Sequence, residues 1–283
     1  WQNVTVPHDW AIYGPFDKEV DKQTIAIVQN GEKSATEKTG RTGSLPYIGE
    51  AWYRNEFSVP NFDKNKKVIL LFEGAMSEPK VFVNGQKAGE WNYGYNYFYL
   101  DVTELVSGKE KNSLAVHVSN LGLSSRWYPG AGLYRKVKLI VKNKESIDQW
   151  GTFITTPLVT KDLAKVNIKT KVTGENLKIV IKIKDANGNE ISQNKSDVLF
   201  GNEFEDNIAV KNPKLWSPET PYLYTAVTQI YSGDVLKDET STRFGIRTIK
   251  YEPNKGFSLN GEIRKFKGVC LHHDLGPIGT AIN

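Results

Sequence analysis

Three side chains able to hold hydroxyls or move protons stand near the end of the chain: His272, His273 and Asp274. They follow Gly261-Glu-Ile-Arg-Lys-Phe-Lys-Gly-Val-Cys-Leu271, which reads as a strand that delivers them at its carboxyl end. A neutral imidazole and a carboxylate can each hold a hydroxyl directionally. Barrel enzymes place their chemistry at the C-terminal ends of barrel strands. One such strand is the start of a barrel and no more. The sequence therefore reads as the front part of a larger enzyme, made mostly of accessory β-domains. His8 and Asp9 also invite an acid/base reading. The plainer one is preferred: a Pro-His-Asp-Trp corner ties the N-terminal strand through side-chain-to-backbone bonds. Cys270 is the single cysteine, which excludes an internal disulfide framework and any multi-cysteine metal site. It reads as a buried, inert thiol. The residues call for no metal and no cofactor.

The elements that must carry these residues are strands nearly throughout. Residues 52–59 and 67–73 are rich in β-formers, and Asn112-Ser-Leu-Ala-Val-His-Val118 alternates with period two, as does 134–141. Val81-Phe-Val83 runs into Asn84-Gly85, a strong hairpin signal. Asp101-Val-Thr-Glu-Leu-Val106 reads as one capped helical turn, with Asp101 accepting from the amide near Glu104. A polar break at 142–146 precedes a second set of strands at 151–156, 164–172, 176–185, 206–210, 221–231 and 235–248. Trp216, in Leu215-Trp-Ser-Pro218, reads as a plug at one end of that second layer. A hairpin turning at Asn260-Gly261 leads to the terminal strand. The expected fold class is all-β: a jelly-roll sandwich over 1–145, an immunoglobulin-like sandwich over 146–249, and the truncated start of a TIM barrel over 250–283.

Composition narrows the function classes. The chain of 283 residues carries a net charge of +5, but its lysines and acidic residues are mixed along the whole length. No basic block with interleaved aromatics occurs, so nucleic acid is not an expected partner. No run of about 18 apolar residues occurs, so no membrane-spanning helix is expected. The first residue is Trp1 and not Met, so the start reads as processed or trimmed. A periplasmic or secreted bacterial location is expected, with a cytoplasmic one left open, as is homo-oligomerisation. The 7 Trp, 13 Tyr and 12 Phe are mostly core or cross-strand filler, and the rest matter because sugars stack on aromatic faces.

Seven motifs occur in one order: Val6-Pro-His-Asp-Trp10, Phe82-Val-Asn-Gly85, Ser125-Arg-Trp-Tyr-Pro-Gly-Ala-Gly-Leu-Tyr-Arg135, Leu215-Trp-Ser-Pro218, Gly245-Ile-Arg247, Leu259-Asn-Gly261 and Lys267-Gly-Val269. Together they resemble the N-terminal half of a family-two glycoside hydrolase of the β-galactosidase type. The resemblance implies a sugar-binding jelly roll, an immunoglobulin-like domain, a TIM barrel entered near residue 257, and retaining hydrolysis of β-glycosides. It implies substrate contacts from His272, His273 and Asp274 at the barrel mouth, and from Arg126 and Trp127 on a jelly-roll loop reaching into it. Many relatives have Asp where this chain has Arg126, so that carboxylate's role does not transfer. Gly130 and Gly132 read as serving the backbone turn.

A retaining glycosidase needs two carboxylates about 5–5.5 Å apart. In the resembled family both are glutamates on later barrel strands, the acid/base following an Asn. Asn-Glu occurs here at 55–56, within a sandwich strand, and at 189–190 and 202–203, in segments read as turn-rich. All three read as solvated surface. The expectation is an exo-β-glycosidase, most plausibly a β-galactosidase, whose catalytic glutamates lie outside this chain and which is inactive alone. The expected partner is a β-galactoside-type carbohydrate. β-Glucuronidase and β-mannosidase are rivals within the class, and a non-catalytic carbohydrate-binding or scaffold module is the rival outside it.

Overall fold

The computed structural model describes residues 1–13, 28, 33–34, 49–108, 111–120, 130–198 and 202–269. The described chain is almost entirely β, and it divides into two compact units at Val141/Lys142. Each has its own apolar core.

In the first unit, β1 (Gly49–Phe57), β3 (Lys80–Val83), β4 (Gln86–Glu90) and β6 (Asn112–Asn120) form one antiparallel sheet in the order β1-β6-β3-β4. β2 (Lys66–Phe72), β5 (Phe98–Asp101) and β7 (Val137–Asn143) form the other, in the order β5-β2-β7. The period-two pattern decides which side chains go inward. Val81 and Val83 are fully buried while Lys80 is exposed and Phe82 lies on the outer side. Phe72 and Phe98 stack in the core, 4.8 Å between centroids and 3° between planes. Asn84 and Gly85 both take positive φ, 51° and 79°, which is the type I′ turn that the Asn-Gly signal requires. Asn84 does more than turn: its amide donates to Leu105 O at 2.9 Å and its Oδ1 accepts from Ser113 N at 2.9 Å. The turn after Asp101 is present, but Asp101 Oδ1 accepts from Thr103 N at 3.0 Å, not from an amide near Glu104. β4 and β5 were not legible as strands. Both are short, and β4 is Gln-Lys-Ala-Gly-Glu.

In the second unit, β8 (Ser146–Val159), β9 (Leu163–Thr173) and β12 (Glu203–Lys211) form a sheet in the order β12-β9-β8. β10 (Leu177–Lys184), β11 (Glu190–Val198), β13 (Tyr224–Ser232) and β14 (Val235–Phe244) form its partner, in the order β11-β10-β13-β14. This is an immunoglobulin-like sandwich in which β11 pairs with β10 and not with β12. β10 shows the logic: Ile179, Ile181 and Ile183 enter the core, while Lys178, Lys182 and Lys184 alternate outward. β11 escaped the sequence reading because it is a polar edge strand, a composition that keeps an open edge from pairing with other chains. Trp216 is half-buried where the sandwich ends. Its amide donates to Ile246 O at 2.8 Å, and a Cβ on Gly245 would lie 2.7 Å from its side chain.

β15 (Ile249–Glu252), β16 (Gly256–Leu259) and β17 (Glu262–Ile263) follow as a three-stranded meander within the same compact unit. The hairpin turns at Asn260-Gly261, both at positive φ. Asn260 pins it by donating to Trp216 O and accepting from Thr248 N, each at 3.0 Å. No closed barrel is present among the described residues.

Candidate functional site

His272, His273, Asp274, Arg126 and Trp127 lie outside the described residues, as do Cys270 and Tyr128. The structure does describe what holds the segment 121–129 at both of its ends. At the near end, Ser119 exchanges backbone bonds with Ser77 at 2.8 and 3.2 Å, and Ser77 Oγ donates to Ser119 O at 2.5 Å. At the far end, Gly132 exchanges bonds with Met76 at 2.8 and 2.9 Å. The adjacent residues Met76 and Ser77 thus tie down the described residues on either side of the segment that carries Arg126 and Trp127.

The Pro-His-Asp-Trp corner locks the far end again. Asp9 is 1% exposed, and its Oδ2 accepts from Ala131 N at 2.9 Å. The backbone amides of His8 and Trp10 donate to Leu133 O and Ala131 O, at 2.8 and 3.1 Å. Tyr53 completes the corner, its hydroxyl 2.8 Å from His8 Nδ1. Burial lowers the His8 pKa, which favours the neutral imidazole. Burial likewise pushes the Tyr53 hydroxyl up to about 12, with the Asp9 charge adding to it. Gly132 sits at φ 120°, and a Cβ there would lie 2.4 Å from Tyr53 Oη and 2.6 Å from His8 O. Gly130 also takes positive φ, 83°. These residues build a corner. Asp9 is committed to backbone, so His8 and Asp9 do not make an acid/base pair.

The three Asn-Glu candidates sit on the surface. Glu56, Glu190 and Glu203 are exposed, and each meets a lysine: Lys111 at 2.8 Å, Lys182 at 3.4 Å and Lys171 at 3.7 Å. Glu190 and Glu203 open strands β11 and β12, so the turn-rich reading of those two positions is corrected. Among the described residues, no group of three His, Cys, Asp or Glu is placed to hold a metal ion. A cleft of about 860 Å³ opens in the first unit between the edges of β1 and β7, beside residues 1–6. Its floor is aliphatic and aromatic, with Leu70, Val116, Leu133 and Phe57, and nothing in its lining pairs two carboxylates.

One cluster was not picked out from the sequence. On the outer face of the β1-β6-β3-β4 sheet, Trp52, Phe82 and His117 meet beside Glu50. The outward alternation of Glu50, Trp52 and Arg54 is visible in the chain. The histidine that joins them is 67 residues from Glu50 and arrives only through strand pairing.

The model of the glycosyl hydrolases family 2 sugar-binding domain matches residues 2–150, more than half of the chain, and that of glycosyl hydrolases family 2 matches 146–247. The chain belongs to glycosyl hydrolase family 2. A family-2 β-galactosidase of Bacteroides ovatus is 38% identical over 293 residues, which is 100% of this chain and 32% of that protein. A glycosyl hydrolase family 2 member from Bacteroides cellulosilyticus superposes with a TM-score of 0.85 at 31% identity, covering 98% of this chain and 36% of its own. A β-glucuronidase of Bacteroides uniformis superposes with a TM-score of 0.81 at 26% identity, covering 100% of this chain and 33% of its own. This family-2 chain therefore spans about a third of the length of the relatives it matches.

Proposed function

We propose that this chain is the front part of a retaining exo-β-glycosidase whose substrate is a β-galactoside. The supporting observation is the order of the matched family domains, sugar-binding first and the second sandwich next, running from residue 2 to residue 247. The similarity to the B. ovatus β-galactosidase favours galactose as the sugar. The similarity to the B. uniformis β-glucuronidase favours β-glucuronidase as the second reading. In the proposed layout a jelly roll ends near 145, an immunoglobulin-like sandwich near 249, and a TIM barrel begins after it.

The chemistry of that reading needs two facing carboxylates, one as acid/base and one as nucleophile. The described glutamates after Asn are all exposed and paired with lysines, so we assign both catalytic carboxylates to barrel strands beyond this chain. The 283 residues alone then turn over no glycoside. This chain's part is to hold the sugar: His272, His273 and Asp274 as hydroxyl partners at the barrel mouth, and Arg126 and Trp127 from the segment 121–129. A panel of nitrophenyl β-glycosides assayed with the full gene product tests the reading. Preference for the galactoside supports it, preference for the glucuronide transfers it to the second reading, and turnover by the pure 283-residue chain overturns the division of labour.

Arg126 and Asp274 carry complementary charges on segments that this reading aims at one pocket. Pairing would hold the Asp as an ionised hydroxyl acceptor and fix the Arg fork. In the full gene product, Asp274→Ala and Arg126→Ala should each raise KM and lower kcat, and the double variant should cost less than the sum. Additive losses would remove the pairing.

A further inference from the structure

We propose that the outer face of the β1-β6-β3-β4 sheet holds one pyranose unit of a neutral, β-linked polysaccharide, with Trp52 as the stacking plate. The proposal rests on the glycosidase reading and names a place on the first sandwich where such a chain is bound. Trp52 is 47% exposed although it lies in the middle of a strand. Its ring is braced on two sides: His117 lies 5.0 Å away at 54°, and Phe82 lies 5.7 Å away at 36°. His117 is the direct cross-strand partner of Trp52 in β6, and Lys80 of β3 is the next partner in the same row. The plate is therefore set by strand register and does not have to be ordered on binding.

The polar groups around the plate suit hydroxyls. His117 Nε2 lies 3.2 Å from Glu50 Oε2, and the Glu50 carboxylate stays exposed. It can accept from a sugar hydroxyl while the imidazole holds it in position. Lys80 and Arg54 are exposed on the same face and donate; the Arg54 guanidinium lies 4.5 Å from the Trp1 ring.

Charge and hydration decide the occupant. Both signs are present, Glu50 against Lys80 and Arg54, so the face offers no field that would gather a polyanion. A protein partner would have to desolvate these charges, and interface centres are depleted of Lys and Glu. A pyranose presses its C–H face on the indole and leaves the charges hydrated and hydrogen-bonded to its hydroxyls. A β-1,4-linked glucan chain, whose two linkage positions are both equatorial, keeps that face flat over successive units.

The test is affinity electrophoresis of the 283-residue chain through gels containing β-1,4-galactan or hydroxyethylcellulose, with dextran as the α-linked control. The proposal expects retardation by at least one β-linked polymer and none by dextran. Trp52→Ala should weaken that binding about tenfold, with Trp52→Phe keeping part of it. Glu50→Gln, an exposed change that leaves the core alone, should weaken it about threefold and stands in if Trp52→Ala fails to fold. No retardation of the unchanged chain, or retardation of both Trp52→Ala and Glu50→Gln equal to that of the unchanged chain, overturns the proposal. A dimer in light scattering that Trp52→Ala dissociates also overturns it, in favour of self-association. In the full gene product, Trp52→Ala should leave kcat/KM on nitrophenyl glycosides unchanged. Hydrolysis without polysaccharide binding removes this inference alone; absence of any hydrolysis removes the glycosidase reading instead.

Discussion

Asp9 shows how one buried carboxylate can fix a distant stretch of backbone. It is nearly inaccessible and receives the amide of fully buried Ala131. Asp9→Ala leaves that amide unsatisfied, and the expected loss is about 3 kcal/mol in chemical denaturation; Asp9→Asn keeps an acceptor and should lose less. His8 adds a pH dependence of known sign. Its folded pKa lies below the ordinary 6.5 because burial disfavours the charged ring. The unfolded chain therefore binds the proton first as pH falls. Stability should be level above 6.5, decline below it, and level again once the folded ring is protonated. Melting curves from pH 8 to pH 5 check this, and His8→Gln should lack that step. A wild-type chain that gains stability on acidification over this range would contradict the sign.

Among the elements, the meander β15-β16-β17 is held by a few polar ties and little core. Arg264 Nη1 lies 2.6 Å from Glu219 Oε1, and Arg264 Nη2 lies 3.3 Å from Glu262 Oε2. The Arg264 hydrogen bond, more than its charge alone, holds Glu219 down to about 2. A depressed carboxylate contributes above its unfolded pKa of 4.5 and loses that contribution as pH falls from 4.5 to 2. The pair is solvent-exposed, so its effect is modest and weakens with salt. The gap in amide protection at β17 between wild type and Glu219→Gln should be constant above pH 4.5 and close toward pH 2. A gap that persists at pH 2 would show that Glu219 acts without its charge.

At the scale of the molecule, two cores carry the fold. Phe72 anchors the first and Ile181 the second. Phe72→Ala should cost about 4 kcal/mol and Ile181→Ala about 3 kcal/mol, because each leaves a cavity in a close-packed interior. Hydrogen exchange read unit by unit should show the first loss centred on β2, β5 and β6, and the second on β9, β10 and β13. Equal loss of protection in both units from either substitution would mean that the cores are not separate folding entities. The glycosidase activity proposed for the whole polypeptide belongs to neither core.

The sequence by itself determined the strand-dominated fold, the family, and most strand positions, because β-branched alternation and Asn-Gly turns are local signals. Val81-Phe-Val83 before Asn84-Gly85, and Phe257-Ser-Leu259 before Asn260-Gly261, could be read residue by residue. Local signals failed for β11 and β4, whose residues are polar and which become strands only by pairing with β10 and β3. Tertiary structure alone decided that Met76 and Ser77 pair with Gly132 and Ser119, on either side of the segment carrying Arg126. It also decided that Trp52 stands on His117 beside Glu50. Register across a sheet joins residues far apart in the chain, and no spacing within a single strand records which partner will arrive.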